Sequence, residues 1–176
     1  MKNSDKFDVI ISRSFKGHFF NYLSYFEETS SHQDTIYIVS EISDNVKKNI
    51  YKLSASISPV FSNLKLLLYV LFKKKIRNKK ILLINSEESF SVLLLFLVLN
   101  IFFKNKVSIV ILLPKYFLHE YGVQIPTKKY KLFLQRIIYS ILLSFKNIFE
   151  IFVIDKFSFD FYKKRYGHKV KINLID

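Results

Sequence analysis

Apolar residues in this chain fall into short continuous runs that alternate with longer stretches in which they recur every three or four positions. The first run, Phe7-Asp8-Val9-Ile10-Ile11-Ser12, is β-branched and ends in a polar loop, as a strand buried on both faces should. Residues 18–29 then place Phe19, Tyr22, Leu23 and Phe26 on one helical stripe, with Asn21, Ser24, Glu27 and Glu28 off it. Further strands are predicted at residues 35–39, 81–84, 107–113, 151–154 and 170–172, with Pro114 unable to continue a ladder beyond the fourth. Between them lie a weak helix from residue 40, an amphipathic helix over 63–77, an apolar helix over 89–103, a long helix over 127–146 and a short one over 158–166, which Gly167 stops.

Alternating strand and helix, with strands apolar through most of their length, predicts βαβ units: an α/β fold with a doubly wound, mostly parallel sheet and helices on both faces. The 176 residues fit one such domain, 1–176, with no repeat, low-complexity tract or linker to divide them. Ligands in this architecture bind beyond the carboxyl ends of the strands, so the loops after Ser12, Ile84, Leu113 and Ile154 are the ones to inspect.

Charge adds a second expectation. A formal excess of +14 favours anionic partners: lipid headgroups, nucleic acid or phosphate-bearing substrates. Lys73, Lys74, Lys75 and Arg77 close the 63–77 helix, where they also oppose the negative end of its dipole, and Lys128 and Lys129 open the long one. Both regions mix aromatic with cationic residues, a combination suited to an anionic membrane surface, and no base-reading motif favours nucleic acid. The longest uncharged apolar stretch, residues 89–103, is too short to cross a bilayer and contains Asn100. With no secretory signal and no cysteine, a cytoplasmic location is expected, peripheral to the inner face of the cell membrane if the basic surface is used.

Candidate chemistry is sparse. The first loop, Ser12-Arg13-Ser14-Phe15-Lys16-Gly17-His18, has too few glycines for a nucleotide fingerprint, yet it opens onto a helix start where an anion is favoured. Gly17 would allow close approach of a ligand, and Lys16 or His18 would contact it; the alternative is an ordinary tight turn. Glu87 and Glu88 follow a strand and precede a helix, as a general base or acceptor-hydroxyl ligand would, though they also suit the helix dipole, with Ser86 as a cap. His119 and Glu120 lie in the long loop after the fourth strand, and His119 is the third candidate for catalysis. Four scattered histidines and no cysteine show no metal-ligand spacing, so no metal or tightly bound cofactor is expected.

Two segments resemble the N-terminal, acceptor-side domain of GT-B glycosyltransferases, particularly the large retaining family 4. They are the opening strand with Gly17-His18-Phe19-Phe20-Asn21-Tyr22-Leu23, and Ile151-Phe152-Val153-Ile154-Asp155-Lys156-Phe157-Ser158-Phe159-Asp160-Phe161-Tyr162-Lys163-Lys164-Arg165-Tyr166-Gly167. Residues 170–176 are similar to that family's last N-domain strand and the start of its linker, with Asp155 where a serine is usual. The resemblance implies transfer of a sugar from a nucleotide sugar, as co-substrate, to a polysaccharide or lipid-linked acceptor. Lys16, Gly17, His18 and Glu87 would contact substrate, and a donor-binding half would be missing or supplied by a separate chain. The competing expectations are a non-catalytic membrane-peripheral module and, behind it, a charge-driven nucleic-acid binder.

Overall fold

The structure, a computed structural model, describes residues 7–14, 25–26, 35–41, 50–53, 58–84, 90–111 and 129–175. Its strands are β1 (Val9–Ser14), β2 (Ile36–Glu41), β3 (Ile50–Lys52), β4 (Lys80–Leu83), β5 (Lys106–Ile111), β6 (Ile148–Val153) and β7 (Lys171–Leu174). Its helices are α1 (Pro59–Leu68), prolonged by a π-helical turn at Tyr69–Lys73, then α2 (Phe90–Asn100), α3 (Lys129–Leu142) and α4 (Lys156–Tyr166). The strands form one seven-stranded sheet in the order β3-β2-β1-β4-β5-β6-β7, and every pair is parallel. Six of them follow the doubly wound order of Rossmann folds, with β7 added outside β6.

Two cores sandwich the sheet. On one face Ile11, Leu83, Ile109 and Val153 meet Leu66 of α1, Phe96 of α2, Leu142 of α3 and Tyr162 of α4. On the other, Ile10, Val39, Leu82 and Val110 pack with Phe7 and Phe26, and three edge-to-face ring pairs among Phe7, Phe26 and Phe152 close at 5.0–6.0 Å. Adjacent positions of one strand thus serve opposite cores, which is why the strands read as unbroken apolar runs.

Several boundaries differ from the sequence expectation, each for a local reason. Helix α1 begins earlier, with Pro59 in its first turn, where the missing N–H costs nothing. Its continuation widens: Lys74 N–H reaches back five residues to Tyr69 O at 2.9 Å, so the predicted single helix over 63–77 ends as a π turn that buries Val70 and Leu71. The predicted short strand 151–154 is the second half of a longer one, with Phe149 and Glu150 inside it. Val107 pairs with Ile148 and Ser108 with Glu150, leaving Phe149 as a bulged residue under the ammonium groups of Lys80 and Lys106. Strand β3 was not anticipated, and the predicted weak helix from residue 40 falls largely outside the described residues.

Candidate functional site

The strand order reverses between β1 and β4, so the crevice expected of this architecture opens at their carboxyl ends. Beneath it Ile84 N–H donates to Ile11 O at 3.0 Å, continuing the ladder one residue past β4, and both Ser12 and Ile84 are buried. Ile10 and Leu82, paired across β1 and β4, are buried on the sheet below as an apolar floor. The connections after Ser14, Ile84 and Ile111 leave the sheet at this edge and are the ones placed to supply chemistry.

The residues predicted to supply it, Lys16, Gly17, His18, Glu87, Glu88 and His119, lie outside the described residues. Asp155, at the carboxyl end of β6, is described, and it is engaged locally: its carboxylate accepts the Ser158 N–H at 2.8 Å and caps α4. Among the described residues no group of three or more histidine or acidic side chains is placed to hold a metal ion.

The first part of the predicted basic surface falls on the opposite edge, whereas Lys129, opening α3, lies on the side of the crevice. Helices run back across the sheet, so their carboxyl ends and the amino ends of the strands share one side of the molecule. Lys73, Lys74, Lys75 and Arg77 sit there, with Lys104 and Lys106 at the start of β5, Lys146 before β6 and Lys169 before β7. Three of the predicted cations rest on rings: Lys74 Nζ lies 3.4 Å from the Tyr51 ring centre, Lys73 Nζ 5.6 Å from Tyr69, and the Arg77 guanidinium 5.3 Å from Phe103. Lys129 is the first residue of α3, and Lys128 lies outside the described residues.

Turn geometry holds this edge in place. Asn100 and Asn105, both buried, bond to each other at 2.8 Å. The Asn105 amide also donates to Ile76 O at 3.0 Å and accepts from Lys79 N–H at 3.0 Å. These bonds tie the exit of α2 to the entry of β4. Asn100, read from sequence as an interruption of an apolar stretch, is the polar lock that ends it. Lys75, Asn78 and Lys104 adopt left-handed backbone conformations in the same turns, a strain that the fixed neighbours sustain.

Glu150 was not anticipated as anything. Its buried carboxylate accepts from Asn173 Nδ2 at 2.7 Å and Ser108 Oγ at 3.4 Å, with Lys171 Nζ at 3.5 Å. With donors from strands on both sides, it works as a tie across β5, β6 and β7, and it stands in the body of the sheet away from the crevice. An acidic residue flanked by Phe149 and Ile151 was the available signal, because a carboxylate inside an apolar run must find partners.

No protein-family model, curated protein or solved structure matches the chain. Its class, a Rossmann-like α/β domain, rests on the sheet order and the helix layers. Among the described residues no helix is long and apolar enough to cross a membrane.

Proposed function

We propose that these residues form the acceptor- and membrane-side domain of a glycosyltransferase-like enzyme, working with a donor-binding domain that lies outside them. The observation that carries the reading is the crevice at the β1/β4 switch point, the position where Rossmann-like domains hold their ligands. The connections that would furnish this crevice contain the anion-binding sequence Lys16-Gly17-His18 and the carboxylates Glu87 and Glu88, while His119 belongs to the connection after β5. The second resembling segment supports it too, folding as the end of β6, the Asp155 cap and α4. In this reading a nucleotide sugar is bound by the partner domain and an acceptor hydroxyl by this one. Glu87, Glu88 or His119 takes the hydroxyl proton as the oxygen bonds to the anomeric carbon and the nucleoside diphosphate leaves.

The test is sugar transfer by the purified chain, alone and mixed with candidate donor-binding chains, using uridine- and guanosine-diphosphate sugars and saccharide or lipid-linked acceptors. Transfer that needs both chains, and that drops at least about a hundredfold when the true base among Glu87, Glu88 and His119 is neutralised, is the expected result. No turnover in any pairing, with no acceptor-induced shift of backbone NMR signals at Ser12 or Ile84, would overturn it.

A second reading, a membrane-peripheral module without sugar chemistry, is favoured by a separate observation: the outer side of the helix layer is apolar and basic.

A further inference from the structure

We propose that the groove along α3, closed by the exit turn of α2, takes the acyl chain of an anionic phospholipid, so that the molecule lies on a bilayer by the outer side of its helix layer. This deepens the membrane side of the reading above and rests on that side alone. Among the described residues fourteen large hydrophobic side chains are exposed, and all but Tyr51 belong to α1, the π turn, α2 with its exit turn, α3 or α4. On α2 they are Leu95 and Val98, continued by Ile101 and Phe102 in the exit turn. On α3, Phe133, Ile137 and Ile141 recur every four residues. Phe102 is 77% exposed and Phe133 64%; exposed apolar residues gathered in this way mark an interaction surface.

Along α3 and its exit turn, closed on one side by Ile101 in the turn after α2, lies an open groove of about 850 Å³, lined by Ile101, Phe133, Ile137 and Ile141, with Arg136 and Lys146 among its polar lining. That is the size of a small-molecule site, and its makeup is amphiphilic: mostly hydrocarbon, with guanidinium and ammonium groups to meet a phosphodiester.

Charge identifies the occupant. Residues 58–84, 90–111 and 129–149, which carry α1, the π turn, α2 and α3, contain no aspartate or glutamate, while lysine and arginine are frequent among them. A second copy of a +14 chain, bringing the same carboxylate-free α1, α2 and α3, would meet this part of the layer with like-charge repulsion; an anionic lipid surface supplies both the apolar phase and the counter-charge. Nucleic acid would satisfy the cations and leave the hydrocarbon side chains in water. The 11 residues of α2 span about 16 Å, short of a bilayer core, so the layer lies along the interface.

The chain has no cysteine, so a single introduced thiol reports one position. Ile141→Cys in the groove and Lys52→Cys, exposed at the sheet edge in register with Val39 of the other core, are each labelled with an environment-sensitive fluorophore. They are mixed with vesicles of phosphatidylcholine and phosphatidylglycerol in equal parts, containing acyl-chain nitroxide lipid, and with vesicles of phosphatidylcholine alone. Quenching at 141 and none at 52, on the anionic vesicles, is expected. Phe133→Ser combined with Ile137→Ser should lower the vesicle partition coefficient about tenfold while thermal unfolding is unchanged. Equal quenching at both positions, the absence of partitioning, or full retention of binding in the double variant would overturn the proposal. So would a dimer in solution that shields the label at 141, or displacement by an oligonucleotide that the double variant does not alter. Failure of sugar transfer would leave these readouts untouched, and loss of quenching would leave the crevice reading untouched.

Discussion

Helix α2 sinks Leu93, Phe96 and Leu97 into the core beside the sheet, and α4 sinks Ser158, Tyr162 and Tyr166 into the same core. Both have 11 residues, and both join a strand to its next parallel neighbour. Above the sheet they part company. The exposed side of α4 carries Lys156, Asp160, Lys163 and Lys164, and its last turn sets three cations against the helix dipole; α2 contains no charged residue at all. A helix in this position needs one apolar side. The second apolar side of α2 is therefore more than packing onto the sheet requires, and the lipid contact proposed above gives it a use.

That comparison can be broken by substitution. The largest effect is expected beneath the helix: Leu97→Ala, fully buried, should cost about 2–5 kcal/mol in denaturant unfolding, and a cost near zero would mean that α2 is not packed as described. Next comes the start of α4, where Asp155→Ala removes the cap to Ser158 and should cost about 1 kcal/mol, with Asp155→Asn recovering most of it. The smallest effect is expected on the outside: Leu95→Gln with Val98→Gln, which keeps helix propensity high, should change stability by less than about 0.5 kcal/mol. A large loss there would show that the outer side of α2 is covered within the chain itself, and the contrast with α4 would dissolve.

Much of the layer plan was legible because buried parallel strands announce themselves. Val9-Ile10-Ile11, Ile81-Leu82-Leu83 and Val107 to Ile111 are apolar on both faces, and each forms the strand expected. Strand β3 escaped notice because Ile50-Tyr51-Lys52 is three residues long and gains its identity from the register of Ile38 with Tyr51 across the sheet. The first half of β6 escaped because Glu150 reads as the end of an apolar run; the donors that make it acceptable, Ser108 and Asn173, come from strands remote in sequence. The π turn is equally invisible, since the same residues satisfy a helical stripe with either spacing. For α2 the periodicity was silent for another reason: a helix apolar all round gives no hint of which side faces the sheet.

The site was legible unevenly. The cations Lys73, Lys74, Lys75 and Arg77 do gather at one edge, though several lean on aromatic rings, which sequence order alone does not predict. The groove along α3 was missed, because it exists only once Ile101 and Phe133, far apart along the chain, line the same hollow.

Among the described residues the sheet ends on both sides in short strands, β3 with three residues and β7 with four. Lys52 closes one and Lys171 opens the other, so each border offers few open amides and carbonyls and sets a positive charge among them. A chain that shows so much hydrocarbon on its helices would risk growing into fibrils if its borders were long and flat. Brevity at the margins leaves the apolar surface free to be sticky toward lipid without being a template for further copies.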